Sequence, residues 1–431
     1  MRLTVFIERM GAYERVGVLE GVRESVAFSY DEDYLHHKGA QAISPALALQ
    51  AGPFDPFVTR CYFDGLVPEG SLRHDIESAK RIARGDYLAL LDVVRDEPIG
   101  ALLFSEAESF DGLNRSYTPL EFSHIERLAS LPAQTALDLT LESRISLAGA
   151  QSKVGLYHVG DAPDAGWFLP RGTAPSTHIL KACGSAYRDE TVCEALCMRA
   201  AAYFDLPAER CFLVPVDEGE PLLAVERYDR LLPEGEDVER VDGLVVPRRL
   251  HQMDMCQASG SVPSTLKYEP TGSNYLNLMA DILHRFSADQ MGDRILLGYY
   301  QLFDYAVGNC DNHLKNWSLL WSEDWSSMGL APLYDVVCTT MYPKLVREMG
   351  VSFGGDRLID NVDRAAVEVR LDSMGIPAFV RETIIEDAVR DVPGTLERAA
   401  EDLVVEGFPQ ARDVLARMMQ GVRSRLARLG R

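Results

Sequence analysis

The sequence has no Cys-x-x-Cys pair, no apolar run near the roughly 20 residues that a membrane span needs, and no surplus of positive charge. Each absence closes a class. The eight cysteines at 61, 183, 193, 197, 211, 256, 310 and 338 are scattered, unlike a disulfide framework or a structural zinc site. Cys193 and Cys197 stand four apart, but no His or further Cys lies beside them at ligand spacing, so they read as small buried hydrophobes. Lys and Arg number 43 against 65 Asp and Glu, a net charge of −22, which excludes broad binding to a phosphate backbone by the chain itself. Gly-x-Ser-x-Gly and Gly-x-Gly-x-x-Gly are both missing, which argues against a serine hydrolase and a dinucleotide enzyme. The opening residues meet a charge at Glu8, too early for a signal peptide, so no membrane contact and a cytoplasmic location are expected.

What is present is ordinary globular composition. The chain has 431 residues, 47% hydrophobic and 25% charged, enough for two or three domains with buried cores. Leu3, Val5 and Ile7 alternate and predict a strand; Val16–Leu19 predicts a second. Helical spacing runs over 72–95, and Ile99–Phe104 reads as a returning strand. Thr118-Pro119 has the look of a helix cap followed by proline, opening a helix that ends near Leu131-Pro132.

From Ile145 the pattern turns β-rich. Strands are expected at Val154–Val159, Trp167–Leu169, Thr177–Lys181, Cys211–Val216 and Leu222–Arg227, with a helix at 189–203 and a loop at 233–239. Beyond residue 250 helices dominate, at 249–259, 274–285, 294–308 and, with short breaks, over 362–430. A β-rich half before a helical half predicts an α+β, two-lobed layout with an extra N-terminal α/β subdomain. The expected segments are 1–107, 108–246 and 247–431. The stretch 409–431 carries six Arg and one Asp, and Leu415, Met418, Val422, Leu426 and Leu429 recur three or four apart. It reads as a packed amphipathic final helix with a basic outer face.

The strongest chemical signal is Gly308-Asn-Cys-Asp311-Asn-His313-Leu-Lys315-Asn316. Asp311 and Asn316 have the Asp-x-x-x-x-Asn spacing of a protein-kinase catalytic loop, where a carboxylate takes the acceptor's proton and an amide oxygen reaches Mg²⁺. Asp335 follows nineteen residues later, where a second metal-binding carboxylate would stand. Upstream, Lys181 ends an apolar strand, and Glu194 lies thirteen residues further on the next helix, as in the ion pair that orients nucleotide phosphates. Ser146-Leu-Ala-Gly149-Ala-Gln-Ser-Lys153 is a small-residue turn that could bring backbone N–H groups to phosphates. Val225-Glu-Arg-Tyr228 sits where a hinge would meet adenine. Each part alone has an ordinary explanation: a turn Asp, an edge-strand Lys, a strand end. Their order along the chain is what raises the signal.

Together these motifs resemble the HipA family, the serine/threonine-kinase toxins of type II toxin–antitoxin systems, over almost the whole chain. Leu66-Val-Pro-Glu-Gly70, Ile145–Lys153, Thr177–Lys181, Arg249-Leu-His-Gln252 with Cys256-Gln257, Gly308–Asn316 and Leu330–Asp335 carry the resemblance. It implies Asp311 as catalytic base and Asn316 and Asp335 as Mg²⁺ ligands. It implies an ATP site formed by Ala148, Gly149, Ala150, Gln151, Ser152 and Lys153, by Lys181, by Glu226, Arg227 and Tyr228, and by His313, Lys315, Asn316, Tyr334 and Asp335. Ser146 matches the family's autophosphorylation site, and Ser152 replaces a Glu common in that loop. A HipB-like helix-turn-helix antitoxin would be the partner, and DNA would be reached only through it. The protein acceptor would be a translation component such as an aminoacyl-tRNA synthetase. Two other readings compete: a catalytically weak scaffold acting as co-repressor through the antitoxin, and a small-molecule kinase of related fold.

Overall fold

The computed structural model describes residues 1–109, 114–145, 147, 151–160, 162–184, 187–235 and 238–430. Its contacts divide the chain into two units that are not consecutive segments. The first comprises 1–184, 212–264 and 320–327; the second comprises 185–211, 265–319 and 328–431.

The first unit holds two antiparallel sheets. Arg2–Arg9 and Ala12–Glu20 form a hairpin whose two turn residues, Met10 and Gly11, both have positive φ, the twist that a two-residue turn between strands requires. Ala27–Tyr30 and Leu102–Ser105 complete this sheet on either side. Its core is aromatic: Phe28 packs against Tyr30, Phe54 and Phe63, and Phe63 against Phe104. The helical spacing over 72–95 resolves into two helices, Gly70–Lys80 and Tyr87–Val93. Arg81 takes a left-handed conformation and Gly85 follows, which ends the first helix before the apolar periodicity does.

The larger sheet has six strands in the order Arg115–Pro119, Trp167–Gly172, Lys153–His158, His178–Lys181, Leu222–Glu226 and Cys211–Val214. Thr118-Pro119 therefore ends an edge strand, and the helix cap expected there is Glu121, ahead of Phe122–Ser130. Proline is tolerated at such an edge because it owes no ladder hydrogen bond. A second helix, Pro132–Ser143, follows at once. The two helices cover one face of the sheet, burying Ile125, Leu128, Ala136 and Leu139 against Val154, Leu156, Leu169, Leu180 and Ala224. The helix expected at 249–259 shrinks to Met255–Ser259, behind short strands at Arg248–Arg249 and Gln252–Asp254.

The second unit is mainly helical: Glu190–Tyr203, Tyr275–Phe286, Gln290–Val307, Arg364–Ser373, Ala378–Val405 and Ala411–Leu429. Asn274, Asp289 and Asp363 cap three of these by accepting a backbone N–H, which satisfies donors that the first helical turn leaves free. The 28-residue helix Ala378–Val405 packs against Glu190–Tyr203, Gln290–Val307 and Ala411–Leu429. The final helix buries Val414, Met418, Val422, Leu426 and Leu429 as its spacing predicts. Arg425 departs from the expected basic outer face: it is buried and donates to the Ala306 carbonyl at 3.1 and 3.2 Å. Among the described residues, no helix is long and apolar enough to cross a membrane.

Candidate functional site

In the first unit, Lys153 and Lys181 are direct cross-strand partners. Residues opposite each other in a ladder project from the same face, about 5 Å apart at Cβ. Their neighbours Val154 and Leu180 point into the helix-covered core, so both lysines stand on the other face of the sheet. Both are more than nine-tenths buried, at 9% and 5% exposure. The two side chains therefore start side by side from one buried face of the sheet. The Lys181 strand is not a solvated edge: it lies between Lys153–His158 and Leu222–Glu226. Gln151 and Ser152 are half-buried, and the Ser152 carbonyl extends the ladder by accepting the Ala182 N–H at 3.0 Å. Ser146, Ala148, Gly149 and Ala150 lie outside the described residues.

Glu226 ends its strand exposed, and Arg227 turns inward. The Arg227 N–H donates to the Thr177 carbonyl at 2.9 Å. Its guanidinium donates to Glu97 at 3.0 Å, Ser176 at 2.9 Å and both Asp229 oxygens at 2.8 and 2.9 Å. That side chain is fully committed within the protein. The Tyr228 hydroxyl donates to Gln252 at 2.7 Å. Burial opposes ionisation of Asp229, but Arg227 and Arg230 outweigh it and hold the carboxyl below the usual range. Burial and repulsion from Arg227 bring Arg230 down to about 10. None of this network was legible as a motif, since Glu97 and Arg227 lie 130 residues apart.

In the second unit, the helix Gln290–Val307 stops at Gly308, whose φ of +89° closes the last turn. A Cβ there would meet Thr340 Oγ1 at 2.2 Å, so only glycine fits. The loop that follows is pinned at almost every residue. Asp311 N–H donates to Asn309 Oδ1 at 3.0 Å, and Cys310 N–H to Thr339 Oγ1 at 2.8 Å. Asn316 Nδ2 donates to the Asp311 carbonyl at 2.8 Å, which closes the Asp-x-x-x-x-Asn loop and leaves the Asn316 amide oxygen directed elsewhere. Asn312, which the sequence reading passed over, is fully buried; it joins Gln301 and Val351 by hydrogen bonds of 3.1 and 3.2 Å.

Within this frame the Asp311 carboxylate stays exposed, and it accepts a hydrogen bond from the Tyr268 hydroxyl. His313 is buried beside it with its ring edge-on to Tyr268, at 5.0 Å between centroids and 88°. The Tyr334 hydroxyl donates to the Lys315 carbonyl at 2.8 Å and meets Ser318 Oγ at 2.6 Å. Asp335 is half-buried with φ of +60°, a conformation that Asp tolerates better than most residues and that clusters at functional sites. Glu194 is 1% exposed on Glu190–Tyr203. The structure thus brings Lys153 and Lys181 together on one face of the sheet in the first unit, with Glu226 at the other end of the neighbouring strand, and Asp311, His313, Lys315, Asn316 and Tyr334 together in the second unit.

An amide oxygen and a carboxylate, the side chains of Asn316 and Asp335, are hard oxygen donors of the kind Mg²⁺ takes from a protein when phosphates and waters complete its shell. Among the described residues no three His, Cys, Asp or Glu side chains gather as an all-protein metal cage. Seven of the eight cysteines are buried, and Cys211 is half-buried.

Residues 145–398 match the model of the HipA-like C-terminal domain, and residues 7–105 match that of the HipA N-terminal domain. "Putative kinase Y4mE" of Sinorhizobium fredii is 32% identical over 387 residues, covering 88% of this chain and 87% of its own. "Putative kinase Y4dM" of the same organism is 24% identical over 398 residues, covering 86% and 87%. Among solved structures, HipA of Shewanella oneidensis MR-1, in its complex with HipB and operator DNA, superposes with a TM-score of 0.78. That match covers 99% of this chain and 96% of the other at 20% identity, so it establishes the fold: mixed helix and sheet, two-lobed and kinase-like.

Proposed function

The chain belongs to the HipA family, and on that premise we propose that it is a Mg²⁺·ATP-dependent protein serine/threonine kinase acting as a toxin. The observation that carries this reading is the closed loop Asp311–Asn316, with its carboxylate exposed and its backbone fixed. Phosphoryl transfer asks a protein mostly for positioning and electrostatics. Asp311 would take the acceptor's proton. Asn316 and Asp335 would hold Mg²⁺, which when bound spreads the charge developing on the phosphates. Lys153 and Lys181 would meet phosphate oxygens, and the main chain of Glu226–Tyr228 would face adenine. Gln151, Ser152, His313, Lys315 and Tyr334 would border the nucleotide with the loop residues Ala148–Ala150. Ser146 would be an autophosphorylation site, and a translation component such as an aminoacyl-tRNA synthetase the protein acceptor.

The test is Mg²⁺-dependent transfer of the γ-phosphate of labelled ATP to proteins of a cell extract, wild type against Asp311→Asn. Labelled protein in the wild type alone supports the reading. A labelled metabolite with no labelled protein would turn it toward a small-molecule kinase.

A second role has its own support. The Shewanella neighbour is a HipA bound with HipB on operator DNA, and a chain of net charge −22 suits a basic DNA-binding partner better than DNA itself. We read this chain as joining a HipB-like antitoxin and reaching DNA through it. A mobility shift of operator DNA only when both proteins are present tests that role separately from catalysis.

A further inference from the structure

Tyr268 is an aromatic residue that no core accounts for. Its side chain is 47% exposed, and its hydroxyl donates to Asp311 Oδ1. The backbone that carries it is fixed on both sides. Tyr275 Oη donates to the Leu266 carbonyl at 2.7 Å, and Leu314 N–H to the Lys267 carbonyl at 3.1 Å. On the other side Glu269 N–H donates to the Gly350 carbonyl at 2.8 Å, while the buried Glu269 carboxylate accepts Ser352 N–H at 2.7 Å and Ser352 Oγ at 3.0 Å. The ring is steadied by the edge-on contact with His313. So a hydroxyl on a rigid segment is presented to the one carboxylate of the loop that is open to solvent.

A general base must stand within hydrogen-bond reach of the proton it removes, and in phosphoryl transfer that proton is on the acceptor hydroxyl. Tyr268 Oη meets that requirement without any movement. Resting on the kinase reading above, we propose that Tyr268 is an intramolecular phosphoacceptor, a modification site distinct from Ser146. In the step, the phenol proton passes to Asp311 and the phenol oxygen bonds to the γ-phosphorus of ATP. The bond from that phosphorus to the β–γ bridging oxygen breaks, and ADP leaves. Phosphotyrosine, ADP and a proton released from Asp311 balance the reaction. The new dianion would lie beside the Asp311 carboxylate, like charge against like, so the modification would oppose entry of further acceptors.

The experiment is phosphosite mapping by mass spectrometry of the full chain incubated with Mg²⁺·ATP, as wild type, as Asp311→Asn, and as a mixture in which the Asp311→Asn chain carries a heavy isotope. The expected result is phosphate on Tyr268 of the wild type at a first-order rate independent of protein concentration. Asp311→Asn should carry about a hundredfold less or lower, the range of a lost general base, alone and in the mixture. Phosphate on other residues or on added protein, with the Tyr268 peptide unmodified, overturns the proposal and leaves the kinase reading standing. Modification of the heavy chain by the wild type overturns its intramolecular character. No phosphate transfer of any kind overturns both readings at once.

Discussion

A single oxygen of Glu97, Oε1, lies 3.0 Å from Arg227 Nη1 and 3.2 Å from Arg230 Nη2, with all three side chains at 2% exposure or less. The same oxygen accepts Ser176 N–H at 2.8 Å and Ser176 Oγ at 3.0 Å. Asp229 completes the cluster and takes the Gly100 N–H at 2.9 Å. Two arginines in a dry interior are tolerable only while two carboxylates face them. Glu97→Gln should therefore cost about 3–5 kcal/mol, the range for breaking a buried pair and stranding its partner. Urea unfolding measures it directly. A loss under about 1 kcal/mol would mean that Asp229 alone suffices for both arginines. Arg227 is also tied to Thr177, just before the Lys181 strand, so if that strand receives nucleotide phosphates the damage should extend to their binding.

Lys181→Met preserves length and apolar stem while removing one of the two charges on the inner face of the sheet. If that face receives phosphates, ATP should stabilise the wild type by about 2.7 kcal/mol at a hundredfold excess over its dissociation constant. The variant should lose most of that gain while melting near the wild-type temperature without ATP. A thermal melt with and without Mg²⁺·ATP separates the two effects. An equal ATP-induced shift in both proteins would remove Lys181 from the site.

The strands at Arg2–Arg9 and Lys153–His158 were legible because alternation is a local property, and the Asp311–Asn316 loop because its chemistry needs a fixed spacing. Where the reading failed, distant residues decided. Residues 72–95 keep their periodicity through Arg81–Asp86, but a left-handed Arg81 redirects the chain. Thr118-Pro119 satisfies a capping rule, yet five ladder pairs with Trp167–Gly172 make it a strand end. The segment 249–259 is spaced like a helix, but Gln252–Asp254 is held as a strand before Met255. Glu97 and Tyr268 carry no local pattern at all. Each matters only through a partner 130 or 43 residues away, and no rule of spacing reaches that far.

His251 is fully buried, stacked on Trp325 at 4.4 Å and 11°, and donates from Nε2 to the Ile43 carbonyl at 2.8 Å. Burial lowers its pKa to about 4, and burial with repulsion from His158 does the same to His178. Both therefore stay neutral in the fold where the unfolded chain takes up a proton. Their contribution to stability is fully present above the ordinary histidine value of 6.5 and is lost as pH falls toward about 4. His251→Phe should keep the stack, lose the hydrogen bond at a cost of about 1 kcal/mol at neutral pH, and show a shallower decline on acidification. Urea midpoints at neutral and mildly acidic pH give both quantities. A decline as steep as in the wild type would assign the acid sensitivity elsewhere.

Asp304 works in the opposite direction. It lies under the Asp311 loop, 2% exposed, accepting Asn309 Nδ2 at 2.9 Å. Burial raises its carboxyl to about 7, although hydrogen bonds from Asn309 and Asn312 favour the charge. The folded protein thus binds a proton that the unfolded chain has released. The resulting stability is complete below the ordinary value of 3.8 and is lost as pH rises through about 7. Asp304→Asn is a permanent mimic of the protonated acid. Relative to the wild type it should gain stability as pH rises between those limits, by up to about 1.4 kcal/mol per pH unit. Since the histidine terms remain, acid should destabilise the variant more steeply than the wild type. If the difference between the two proteins is the same at pH values near both limits, Asp304 is ionised throughout, and the loop rests on a charge instead of a neutral acid.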